Sequence, residues 1–221
     1  MRIAELHPWD LGPEEAARIQ EKLAHRVRAS GPNGPVRTVC GADVHVQEGT
    51  ARAACVVLEL PGLWLRARAV HSVPARFPYI PGLLSFREIP PLIPALEELP
   101  VTPDVLLVDG HGLAHPRGFG LACHLGVLAR TPCVGCAKSL LVGSCREPAG
   151  ERGSSESLYH RGRVVGAAVR TRTGVKPVYV SPGHLISLER SVELVLACAP
   201  RFRVPEPLRL AHRLAASGKT E

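Results

Sequence analysis

Two short apolar runs carry carboxylates where chemistry could use them. In DVLLVDGHG (104–112) a continuous apolar stretch stops at Asp109 and passes at once into Gly110-His111-Gly112. Open α/β sheets bind ligands beyond the carboxyl ends of their strands, and glycines there let backbone approach a ligand closely. In VCGADVHV (39–46) Asp43 interrupts an otherwise apolar strand pattern, where burying a carboxylate without a partner or a cation is costly. Glu88, after Phe86 and Arg87, could complete a third acidic position. Hard carboxylate oxygens around an incompletely coordinated Mg²⁺ are what phosphodiester hydrolysis needs, because the ion activates a water and neutralises charge on the phosphate. Lys138, one of four lysines, follows VGCA directly and could contact a phosphate or help position that water. Taken singly, each of these four residues reads as a solvated charge at a strand end or helix surface.

Zinc is the competing chemistry. His111 and His115 are four apart and Cys133 and Cys136 three apart. A His-x₃-His pair binds one ion best from a helix, whereas this stretch holds two glycines and ends at Pro116. The two cysteines fall at opposite phases of a buried strand, which fits packed thiols. Tyr79 and Ile80 lie between Pro78 and Pro81, giving a stiff loop that could wedge between bases or fold back to plug the core.

The elements that must position these groups read as an α/β domain spanning 1–221. An amphipathic helix covers 13–29, opened by Pro13 and two glutamates. Three antiparallel strands follow over 36–46, 51–60 and 63–70, and the proline-rich 72–82 is irregular. A helix over 83–99 is interrupted by Pro90, Pro91 and Pro94. Strand 104–109, helix 118–130 and strand 132–137 make a parallel crossover. After a polar loop at 143–156 come strands at 164–171 and 177–181, then helices at 185–199 and 205–216. No internal repeat is present.

The net charge of +7 is consistent with a phosphate-rich partner, and equally with a compositional bias toward arginine. Seven cysteines, an odd number, with no leading apolar segment point to a reducing, cytoplasmic setting. The longest apolar runs are far too short to span a bilayer, so no membrane anchor is expected. A monomer is the default.

Six segments, GADV (41–44), PYIPGLLSFRE (78–88), LLVDGHGLAHPRGFGLACHLGV (106–127), VGCAKS (134–139), VSPGHLISL (180–188) and VPEPLRLAHRLA (204–215), resemble the endonuclease V family in content, order and spacing. The resemblance covers nearly the whole chain from about residue 10. It implies a ribonuclease H-like fold, a central mixed sheet of three antiparallel strands followed by parallel strands, flanked by helices. It also implies a Mg²⁺-dependent endonuclease, with Mn²⁺ as a substitute. The implied substrate is DNA carrying a deaminated base, chiefly hypoxanthine, nicked at the second phosphodiester bond on its 3′ side to leave 3′-hydroxyl and 5′-phosphate ends. Inosine-containing RNA is the alternative substrate, and a binder that does not cut is the alternative class. By the same resemblance Asp43 and Asp109 hold the metal, Glu88 assists, His212 lies near the ion, and Lys138 and His115 act on the scissile phosphate and water. Pro78, Tyr79, Ile80 and Pro81 form a strand-separating wedge, and backbone around Gly82, Leu84, Gly110 and Gly112 forms the pocket for a base turned out of the stack. Cys136 and Cys123 depart from the family's usual residues without removing any of these groups.

Overall fold

A computed structural model describes residues 1–31 and 34–217; residues 32, 33 and 218–221 of the expected 1–221 span lie outside the described residues. Helix α1 (Pro13–Ala24) starts on its proline, with Glu14 and Glu15 in the first turn at the positive end of the helix dipole. It stops at Ala24 rather than running to residue 29. Strands β1 (Thr38–Gln47), β2 (Thr50–Glu59) and β3 (Trp64–Pro74) follow as an antiparallel meander. Then come α2 (Leu84–Glu97), β4 (Val105–Val108), α3 (Leu121–Ala129), β5 (Cys133–Ala137), β6 (Ser155–His160), β7 (Arg163–Val169), β8 (Val178–His184), α4 (Leu188–Ala197) and α5 (Glu206–Ser217). The strands form one mixed sheet in the order β3-β2-β1-β4-β5-β8-β7-β6. Its parallel part is confined to β1, β4 and β5, and β8, β7 and β6 continue it antiparallel.

Three further expectations need correction. Helix α2 is not interrupted: Pro90, Pro91 and Pro94 sit inside one continuous helix. Each removes a backbone donor, but Ile89, Leu92, Ala95 and Leu96 are fully buried against the sheet, and burial of that face outweighs the missing bonds. The polar segment expected as a loop to residue 156 runs into strand β6, where Leu158 alone is buried. An edge strand needs only its backbone pairing to β7, so it carries little apolar signal. Strand β3 runs to Pro74, beyond its expected end at 70, and a terminal proline is tolerated on the opposite edge of the sheet.

Strand parity sorts the core into two layers. Cys40, Ala42, Leu106, Val108 and Cys133 pack with Leu92 and Leu96 of α2 and Leu125 and Leu128 of α3. Val39, Leu107, Val134 and Cys136 pack with Leu194 and Val195 of α4 and Leu208 of α5. Cys133 and Cys136 therefore face opposite layers, and all seven cysteines are free. A Cβ at Gly41 would lie 2.2 Å from the Pro207 backbone, so glycine is what lets α5 sit this close to β1. Among the described residues no helix is long and apolar enough to cross a membrane.

Candidate active site

The parallel register pairs Ala42 of β1 with Val108 of β4. The next residues, Asp43 midway along β1 and Asp109 just past the end of β4, are thus brought side by side, in the parity that faces α4 and α5. Val108 also pairs with Gly135 of β5, so Lys138 emerges beyond β5 on the same rim. Its Nζ lies 2.5 Å from Asp109 Oδ2. Helix α5, held against β1 at Gly41, brings His212 to Asp43, with Nδ1 2.9 Å from Oδ2. Asp43 is 9% exposed, while Lys138 and His212 remain open to solvent.

The electrostatics tie Glu88 to the same cluster. Desolvation pushes its carboxyl well above the usual range, and the charges of Asp43 and Asp109 push it further, against a smaller opposing effect of Arg87. Burial likewise raises Asp43; the His212 hydrogen bond works against it and Asp109 adds to it. For Lys138, burial disfavours the ammonium, but the hydrogen bond to Asp109 and the charges of Asp109 and Asp43 outweigh it and hold its pKa above the ordinary lysine value. Glu88 and Asp43, each raised by burial and by neighbouring carboxylate charge, form an electronegative site together with Asp109.

Among the described residues no three His, Cys, Asp or Glu side chains form a ready-made ion cage. Asp43 and Asp109 are instead bonded to His212 and Lys138. The donor chemistry nevertheless fits a hard divalent cation, which carboxylate oxygens bind and which would neutralise the repulsion that raises Glu88 and Asp43.

A consequence for stability can be measured without a metal. A carboxyl whose folded pKa is raised favours folding while protonated and loses that contribution as pH rises through the folded value. In EDTA, Glu88→Gln is therefore expected to be more stable than wild type at pH 8, with the difference closing toward pH 4. Each unit of upward shift corresponds to about 1.4 kcal/mol, and each kcal/mol to about 2–4 °C in a domain of this size. Thermal melts at the two pH values check this; a variant no more stable than wild type at pH 8 contradicts it.

His115 does not join the carboxylates. Its ring is 3% exposed, with Nε2 2.9 Å from the Gly82 carbonyl and Nδ1 accepting from the Arg117 backbone N–H at 3.2 Å. One neutral tautomer satisfies both bonds, and burial lowers its pKa to about 4. The arrangement engages both ring nitrogens in holding a loop. Arg117, which sequence reasoning passed over, completes that clamp: Nη2 donates to the same Gly82 carbonyl at 2.7 Å and Nε to Gln20 Oε1 at 2.7 Å. Its only signal in the sequence was a place in HPRG beside His115.

The clamped turn, with Gly82 at φ +80°, follows the proline loop. Phe77 is buried and Ile80 packs inward beside Phe86, so they anchor the loop, while Tyr79 stands 67% exposed between exposed Pro78 and Pro81. Of the two readings of this loop, Tyr79 takes the outward one and Ile80 the inward one. Beneath it lies a small cavity walled by Gly82, Leu84, Ser85, His111, His115 and Leu121. Gly110 and Gly112 lie in tight packing. A Cβ at Gly112 would fall 2.0 Å from the Pro182 carbonyl, its N–H donates to Ser181 Oγ at 2.7 Å, and Gly110 lies against Leu121. His124, fully buried, supports the start of α2 through Ser85, with Nδ1 3.0 Å from Oγ, and meets His7 at 2.7 Å. A histidine inside an apolar helix gave no such signal in advance.

A family model described as Endonuclease V matches residues 21–213. The Endonuclease V of Methanothrix thermoacetophila is 52% identical over 215 residues, 97% of this chain and 96% of that protein. The crystal structure of Endonuclease V from Streptomyces avermitilis superposes with a TM-score of 0.91 at 40% identity, covering 99% of this chain and 97% of the other. That of Ciona intestinalis Endonuclease V, in complex with a 24mer DNA containing an inosine followed by a ribo-adenosine, gives a TM-score of 0.82 at 29% identity, covering 93% and 96%. The fold is the ribonuclease H-like one that the sequence resemblance implied.

Proposed function

This chain belongs to the endonuclease V family, and we propose that it nicks DNA carrying a deaminated base, hypoxanthine above all, at the second phosphodiester bond on the 3′ side, as the first step of repair. The products are a 3′-hydroxyl and a 5′-phosphate. The observation that carries this reading is the placement of Asp43 and Asp109 side by side by the parallel register of β1 and β4, with Lys138 on Asp109 and Glu88 within their field.

Asp43, Asp109 and Glu88 would hold Mg²⁺, or Mn²⁺ in its place, which activates a water and neutralises phosphate charge. His212 orients the Asp43 carboxylate and restrains it near the ion. Lys138 moves its ammonium from Asp109 toward the scissile phosphate, where it offsets the charge that builds on the oxygens during in-line attack. Tyr79 stacks in the gap left by the displaced base. The small cavity under Gly82 widens to receive that base, and the His115–Arg117 clamp holds the turn beside it. Hypoxanthine lacks the 2-amino group of guanine, so a close-fitting wall rejects guanine by leaving that amine unpaired or clashing.

A second reading, cleavage of inosine-containing RNA, is supported by the ribo-adenosine that follows inosine in the substrate bound to the Ciona relative. Cleavage of matched inosine DNA and RNA strands side by side, with Mg²⁺, tests the choice. Efficient cutting of DNA is expected, and cutting of RNA alone would refute the DNA assignment.

A further inference from the structure

The β6–β7 hairpin turns at Arg161-Gly162, both at positive φ (50° and 74°), which is the two-residue turn that matches the twist of paired strands. It holds Arg161 and Arg163 out into solvent, and among the described residues neither side chain has a hydrogen-bond or ion-pair partner. Facing them across a groove is the His115–Gly118 loop, with Arg117 on the wall; Glu21 of α1 is the one acidic side chain lining it. His160, in the same wall, has its Nε2 buried with no partner. The groove and the base cavity share His115 as a common wall, and Arg117 reaches the Gly82 carbonyl beside it. Unpaired guanidinium groups in a fixed fork are suited to phosphate oxygens.

We propose that this groove is a track for the sugar-phosphate backbone of the nucleic acid flanking the damaged base, on the side of the base cavity away from Asp109 and Lys138. Arg161 and Arg163 bind successive phosphates. The inference rests on the proposed function for its ligand. It adds a sequence-independent contact outside the catalytic rim, one that holds the flank while the base is turned out.

The test is a double variant, Arg161→Asn with Arg163→Gln; asparagine tolerates the left-handed backbone at 161, and circular dichroism checks the fold. Binding is measured against salt on a long inosine duplex and on versions trimmed close to inosine on one side or the other. Two lost phosphate contacts lower the slope of log affinity against log salt by about 1.8 on duplex. Affinity falls about tenfold at physiological salt, on the order of one decade for two exposed contacts, while the nicking rate at saturating enzyme is unchanged. Wild type and variant coincide on one of the two trimmed duplexes, and Arg163→Lys alone keeps the slope. An unchanged slope on the long duplex, or a defect equal on both trimmed ones, overturns the track. Should wild type neither bind selectively nor nick the inosine duplex, the proposed function fails. The track is then judged on undamaged duplex, where the same difference in slope is expected.

Discussion

Asp109→Ala and Asp43→Ala are each expected to lose nicking of inosine DNA by on the order of 10³-fold or more, the scale of removing a group that acts as part of a catalytic unit. The two carboxylates each follow a residue of the same parallel pair, Ala42 and Val108, and each already holds a basic partner, Lys138 on Asp109 and His212 on Asp43. Removing Asp109 takes away a metal ligand and frees Lys138 from the position that aims it. Removing Asp43 leaves His212 without its carboxylate and deletes a buried oxygen donor. Neither substitution touches the proline loop or the cavity under Gly82, so binding of an inosine duplex in EDTA should persist within a few-fold. Single-turnover rates with enzyme in excess, beside binding measured by gel shift, separate the two effects. A variant retaining a tenth of the wild-type rate would contradict the assignment.

Lys138→Met is expected to lower the single-turnover rate by about 10²–10³-fold, the usual cost of deleting one preorganised donor to developing charge, with little change in affinity. The side chain is half-exposed and its contact with Asp109 is an ion pair at the surface, worth little to stability. A purely structural role would therefore leave the rate near wild type. Lys138→Arg keeps the charge but not the compact ammonium, and should recover part of the rate. If the whole defect of Lys138→Met appears in affinity and none in the rate at saturation, Lys138 serves only to attract the backbone.

The parts of this site that could be read from sequence were those where one residue breaks a pattern. Asp109 ends a continuous apolar strand and Asp43 interrupts one, and both disruptions are visible because period-two and fully buried strands leave few places for a carboxylate. Period-two phase also separated Cys133 from Cys136, and the two cysteines lie in different core layers. His212 was another matter. Its partner Asp43 is 169 residues away, and only the family resemblance connected them. Local pattern failed where tertiary contacts decide. Three prolines inside α2 are outweighed by its buried face, and β6 exists because β7 offers it an edge. The contacts of His115 with Gly82 and Arg117 are likewise tertiary, and the spacing of the motif does not express them.

The most direct measurement is a nicking assay of the intact chain on a duplex with a single inosine, with Mg²⁺, with Mn²⁺ and with EDTA, the product mapped at single-nucleotide resolution. The expected result is one cut at the second phosphodiester bond 3′ of inosine with either metal and none in EDTA. Cutting in EDTA, a cut at another position, or tight binding of the inosine duplex with no product under either metal would contradict it.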